Sequence, residues 1–138
     1  MRVRDFMSTP AVTIRSDQDY KTGLRLMQQN AVHHLPVVDA DGRVVGIAAE
    51  RDLLLAATRY LDSSVEVGEV MHRGAVTTRP DAPLATAASL MLEHHIGSLP
   101  VIDAEAHVIG LVTETDLFRL LVGADEDEGP GTIPPPVV

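Results

Sequence analysis

The sequence predicts an α/β (α+β) fold made of two β-α-β-β-α units related by pseudo-twofold symmetry. Three observations carry this. Residues 3–58 align with residues 67–122 at a constant offset of 64 without a gap, and 20 of the 56 pairs are identical, which is the signature of an internal repeat. Within each unit the apolar pattern alternates between strand-like runs and helical spacing in the same order. Two units of about 60 residues are each marginal alone, so tight duplication predicts a shared core in one compact body.

In the first unit, Ala11-Val12-Thr13-Ile14 is a short β-rich run. Ser16 or Asp17 can cap a helix in which Tyr20, Leu24, Met27 and Ala31 recur at helical spacing. Leu35-Pro36-Val37-Val38 reads as a buried strand with proline at its entry. Asp39-Ala40-Asp41-Gly42 is a turn, and Val44 to Ala48 returns as the hairpin partner. A second helix runs from Glu50 to Thr58, with acids in its first turn.

The second unit repeats the order. Ala75 to Thr78 is a strand, Asp81 to His95 a helix, and Ser98 to Ile102 with His107 to Val112 a hairpin. Glu114 to Leu121 is the closing helix. The units are placed at 1–60 and 67–122, with a linker at 61–66. The tail, 123–138, is acidic and then rich in proline and glycine, a composition expected to be disordered. Its Ile133-Pro134-Pro135-Pro136 end is either a solvated tail or a polyproline recognition segment.

Composition narrows the function. Hydrophobic residues make up 45% and aromatic residues 3%, with no Trp, so the core must be aliphatic. No apolar run approaches the roughly 18 residues of a membrane span. Arg2, Arg4 and Asp5 interrupt any signal-peptide core, so cytoplasm is the expected compartment. Without Cys there is no disulfide, thiolate metal site or thiol catalysis. The net charge of −9 argues against nucleic-acid binding, which needs a basic footprint. No P-loop, dinucleotide fingerprint or nucleophile elbow occurs, and an enzyme is not expected.

The strongest local pattern is Gly110-Leu111-Val112-Thr113-Glu114-Thr115-Asp116. A strand ends there as a helix begins, and helix-start N–H groups favour an anion. Thr113 and Thr115 add hydroxyls, and Asp116 offers two acceptors suited to a ribose diol. The alternative is structural: Thr113 caps the helix and the acids complement its dipole. His33-His34 and His94-His95 are adjacent pairs whose side chains diverge, and no metal site is expected from them. Arg15 with Asp17, and Arg79 with Asp81, read as turn and cap chemistry.

Several motifs together resemble the CBS domain, named for cystathionine β-synthase, and the tandem resembles a Bateman module. They are Val3-Arg4-Asp5-Phe6-Met7 and Val67-Gly68-Glu69-Val70-Met71; His34 to Asp39 and Ser98 to Asp103; and Gly46 to Asp52 with Gly110 to Asp116. The resemblance covers about residues 3–122. It implies two repeats packed through their sheets as one regulatory module, with an adenine nucleotide or related adenosyl ligand in the cleft between them. AMP, ADP and ATP are the leading ligands, ahead of S-adenosylmethionine, NAD and cyclic di-AMP. In that family the Asp closing the Gly-x-x-Thr-x-x-Asp stretch holds the ribose and the preceding hydroxyls meet phosphate. The other repeat supplies its first strand and a basic pair before Leu-Pro-Val.

Carried across, the main cleft takes Leu111, Thr113, Thr115 and Asp116 from the second repeat and Ala11, Val12, His33, His34 and Pro36 from the first. The second cleft is expected to be weaker, with Arg51, Asp52, Ala75, Val76 and Ser98. There Ala49 lacks the hydroxyl, and Gly97-Ser98 replaces the basic pair. If the histidines meet phosphate, affinity weakens as pH rises from about 6 to 8. The expected protein is an energy-sensor-like homodimer acting on an unidentified regulated partner, with no obligatory cofactor. A ligand-free dimerising scaffold is the competing expectation.

Overall fold

A computed structural model describes residues 1–61 and 63–125. After a 3₁₀ turn at Val3–Asp5 come β1 (Ile14–Arg15), α1 (Tyr20–Asn30), β2 (His34–Val38), β3 (Val44–Ala49) and α2 (Glu50–Tyr60). Then follow α3 (Val67–Val70), β4 (His72–Arg73), α4 (Leu84–His94), β5 (Ser98–Ile102), β6 (Val108–Thr113) and α5 (Glu114–Asp125). The strands form a four-stranded sheet in the order β1-β2-β3-β4 and a two-stranded sheet, β5-β6. In each hairpin a register shift falls at the matched place, Val37/Val38 and Val101/Ile102.

Local chemistry explains most boundaries. Asp19, not Ser16 or Asp17, caps α1, accepting from the Lys21 N–H at 2.9 Å. Asp17 instead pairs with Arg15 at 2.7 Å. Tyr20, Gly23 and Met27 form the buried stripe of α1, and the Tyr20 hydroxyl donates to the Leu61 carbonyl at 2.9 Å. Helix α5 runs to Asp125, so residues 123–125, expected in the tail, are helical. The remaining tail, 126–138, lies outside the described residues.

The two cores do not follow the sequence repeats. One gathers Ile14, Tyr20, Met27, Leu35, Val37, Ala48, Leu53 and Ala56 of the first repeat, and also Val65 and Val67 from beyond it. The other gathers Leu84, Ala87, Met91, Leu99, Val101 and Val112 of the second repeat, and also Val3 from the start of the chain. Each leading turn has crossed to the other repeat's core. The Val3 N–H donates to the Ala82 carbonyl at 2.9 Å, and the Val67 N–H donates to the Gln18 carbonyl at 2.8 Å. Complete burial of such a valine contributes roughly 1.5–3 kcal/mol relative to exposure.

The exchange also explains why the first expected strand of each repeat is short. After its leading turn, Ser8 exchanges backbone hydrogen bonds with Leu111 of β6, at 2.8 and 3.0 Å. His72–Arg73 pairs with Gly46 and Ile47 of β3. The chain must then travel to the far edge of its own hairpin. Residues 11–13 make that passage without strand pairing, before Ile14 joins β2 in parallel. In the second repeat only Thr78 pairs, with Val101. The hairpin tips also meet: the Val44 N–H donates to the Ala106 carbonyl at 3.0 Å.

Two matched glycines admit the crossing segments. A Cβ on Gly46 would sit 2.5 Å from the His72 carbonyl oxygen and 2.7 Å from the Met71 sulfur. One on Gly110 would sit 2.8 Å from the Met7 sulfur and 3.0 Å from the Ser8 carbonyl oxygen. Backbone cannot yield as a methionine tip can. Gly46→Ala is therefore expected to cost about 2–3 kcal/mol and Gly110→Ala about 1 kcal/mol. Urea denaturation of the two variants measures the difference; equal costs would contradict the contact argument.

Candidate functional site

The candidate site lies where β6 gives way to α5. Thr113 ends the strand and Asp116 stands in the first turn of the helix. The Asp116 Oδ2 atom accepts from the Thr113 N–H at 2.8 Å and from its hydroxyl at 3.2 Å. The Thr113 hydroxyl oxygen accepts from the Asp116 N–H at 3.4 Å. This is a reciprocal capping box. Both bonds to the carboxylate fall on Oδ2, and Oδ1 accepts none among the described residues. Thr115 is exposed on the next turn position.

The first repeat keeps half of this arrangement. The Ala49 N–H donates to Asp52 Oδ2 at 3.2 Å, and alanine has no hydroxyl to return the bond. The same oxygen meets His72 Nε2 at 3.2 Å. His72 arrives on β4, so the exchange brings it beside Asp52. The sequence reading did not include His72, because its place follows from strand pairing across repeats.

The remaining expected residues are spread over several elements. Ala11, Val12, Ala75 and Val76 are half-buried in the crossing segments between sheets, not in strands. Pro36 is buried in β2, and Leu111 is buried in β6 beside Ser8. Ser98 is 3% exposed and pairs in register with Thr113, so it packs into the strand end. Arg51 is exposed at the start of α2. A depression of about 480 Å³ brings Asp116 together with Asp5, Phe6, Arg119, Leu120 and Gly123. Asp5, Phe6 and Arg119 were not in the expected set; Asp5 and Phe6 reach it only through the exchange of leading turns.

The two histidines have different surroundings. His33 Nδ1 lies 3.0 Å from Glu50 Oε2, in an exposed pair of the kind that contributes about 0–1 kcal/mol. At the matched place in the second repeat, Gly97 leaves room for the Glu114 carboxylate, which would lie 3.1 Å from a Cβ there. His34 is half-buried on β2. Burial, and then the neighbouring His33, push its pKa below the ordinary 6.5, against the opposing pull of Glu114, Asp52 and Glu50. His34 is thus mainly neutral at pH 7, and the pH dependence expected for a charged histidine pair between pH 6 and 8 shrinks.

This shift couples His34 to stability. The unfolded chain takes up the proton first as pH falls, so stability associated with neutral His34 is present above about pH 6.5 and declines below it. The urea midpoint is expected to fall between about pH 7 and pH 5, and His34→Asn should remove part of that slope. An unchanged slope in His34→Asn would remove His34 as a source of the effect.

Among the described residues, no group of three or more His, Asp or Glu side chains is placed to hold a metal ion. No described helix is long and apolar enough to cross a membrane. The CBS domain family model matches the chain twice, over residues 3–59 and 67–123. A CBS domain-containing protein of Dictyostelium discoideum is 36% identical over 131 residues, covering 87% of this chain and 90% of that protein. The L-aspartate semialdehyde sulfurtransferase of Methanocaldococcus jannaschii is 31% identical over 121 residues, which is 88% of this chain but 23% of the enzyme. The chain thus spans about a quarter of that enzyme's length. The CBS domain pair of protein MJ0100, in complex with 5′-methylthioadenosine and S-adenosyl-L-methionine, superposes with a TM-score of 0.82 at 30% identity, covering 90% of this chain and 98% of that one. CBSX2 in complex with AMP gives 0.78 at 27% identity, covering 90% and 98%. With both repeats matched and the paired fold shared, the chain belongs to the CBS domain family as a tandem pair.

Proposed function

We propose that this chain is a regulatory module, without catalysis of its own, that binds an adenosyl ligand between its repeats. The carrying observation is the Thr113–Asp116 box, a half-buried carboxylate held at a helix start by reciprocal hydrogen bonds. The adenosyl ligands of the MJ0100 and CBSX2 domain pairs support the same reading. Asp116 would accept from the ribose diol, and the apolar passage would take the base. A ligand touching both repeats favours the arrangement in which the cleft is closed, and a regulated partner would read that shift. AMP, ADP and ATP are the nucleotides in view, which would make the module an energy sensor.

Titration calorimetry with AMP, ADP, ATP and 5′-methylthioadenosine tests this. Saturable binding near one ligand per chain is expected, and Asp116→Ala should weaken it at least about tenfold, or about 1.4 kcal/mol, without unfolding. Binding unaffected by Asp116→Ala would remove this cleft as the site. The scaffold reading has its own support, because Asp116 and Asp52 already hold intramolecular partners. Absence of binding by all four compounds would favour it.

The module is further proposed to be a homodimer through α4 and α5. These helices border an apolar groove of about 960 Å³ that includes Met91, Leu92, Ile96, Leu117 and Phe118. Leu92 is 78% exposed and Phe118 58% exposed, which favours burial against a second copy. Phe118→Glu is expected to convert a dimer to monomer in sedimentation velocity. A wild-type monomer, or a variant that remains dimeric, would refute this face.

A further inference from the structure

We infer that the segment Ile133-Pro134-Pro135-Pro136-Val137-Val138 docks in the groove between α4 and α5 of its own chain, so that a second copy must displace it to dimerise there. The inference goes beyond the dimer reading above and shares only its groove. Leu92, Phe118 and Leu121 on this face are each more than half exposed, and an exposed apolar surface of this kind marks a contact site. The described chain ends beside the groove. Leu121 lines it, and Asp125 follows four positions later, about 6 Å along the helix. Residues 126–138 continue from that point.

The composition of this stretch fits a return to the groove. Asp125 to Glu128 are successive acids, which are disfavoured at the negative end of a helix. Gly129-Pro130-Gly131 then favours a turn. Residues 126–131 make a linker with a root-mean-square reach of about 13 Å when flexible, enough to cover the way back to Leu121. At such spans a tethered segment has an effective concentration in the millimolar range, which favours it over a second copy free in solution. Ile133, Val137 and Val138 are apolar, and the prolines between them favour an extended polyproline helix. At about 3.1 Å per residue, 133–138 spans about 19 Å. Helix α4, with 11 residues, is about 16 Å long, so the segment can run its length. The fixed φ of proline lowers the entropy lost on docking.

The test uses the full chain with Thr132→Cys carrying a nitroxide, which is unique because the sequence has no cysteine. Amide NMR signals of Leu84, Leu92 and Phe118 are expected to broaden more than those of Leu54 and Leu55, the half-exposed pair on α2. Adding Ile133→Asp and Val137→Asp, which leaves label and linker in place, should remove that excess along α4. The same double substitution should tighten self-association at least about fivefold in sedimentation velocity, as expected when an occupant present about four-fifths of the time is removed. Equal broadening with and without the substitutions, or a dimer constant unmoved by them, would overturn the inference. Broadening that fades when the labelled chain is diluted with unlabelled chain would place the segment in a second copy's groove and overturn it as well. If both forms are monomeric, the dimer reading fails, and the nitroxide still decides whether the segment docks.

Discussion

The structure depends on a reciprocal exchange of leading turns. Val3 completes the core of the second repeat, and Val67 completes that of the first. Each crossing requires a strand without a side chain at one point, and Gly46 and Gly110 meet that steric demand. Neither repeat, cut at its sequence boundaries, would retain its own complete core. Duplication here therefore gives interdependent halves, consistent with the difficulty of stabilising a unit of about 60 residues alone.

The same exchange builds the candidate clefts. Once Ser8 pairs with Leu111, the following residues must run from one sheet to the other. That passage leaves Ala11 and Val12 half-buried without a strand partner, with Val12 packed against the core of the first repeat. It also brings Asp5 and Phe6 beside Asp116, and His72 beside Asp52. A strand-end carboxylate and an apolar passage thus come from opposite ends of the sequence.

Pseudo-symmetry makes the differences between clefts interpretable. Thr113 returns a hydrogen bond that Ala49 has no atom to return. Glu114 packs against Gly97, whereas the matched Glu50 engages His33. The helical faces differ as well: Gln28 stands in α1 where α4 presents Leu92, and Leu54 in α2 where α5 presents Phe118. A shared backbone therefore carries two chemically distinct strand-to-helix junctions, and an apolar groove lies on the second repeat.

The sequence by itself determined the duplication, the hairpins, the four long helices and the strand-to-helix motif containing Asp116. These are local matters: apolar periodicity, turn residues and caps act within a few positions, so they can be read along the chain. Even there, competing caps moved the start of α1 to Asp19, and a continuing helix carried α5 beyond Leu121 to Asp125. Only the tertiary structure decided which repeat owns each leading turn, because valine burial and a glycine's close approach join residues of different repeats. It also decided that Ala11–Thr13 crosses between sheets, that His72 meets Asp52, and that burial holds His34 toward its neutral form. Charge and hydroxyl content are written in the sequence, but their availability to a ligand depends on neighbours that folding alone supplies.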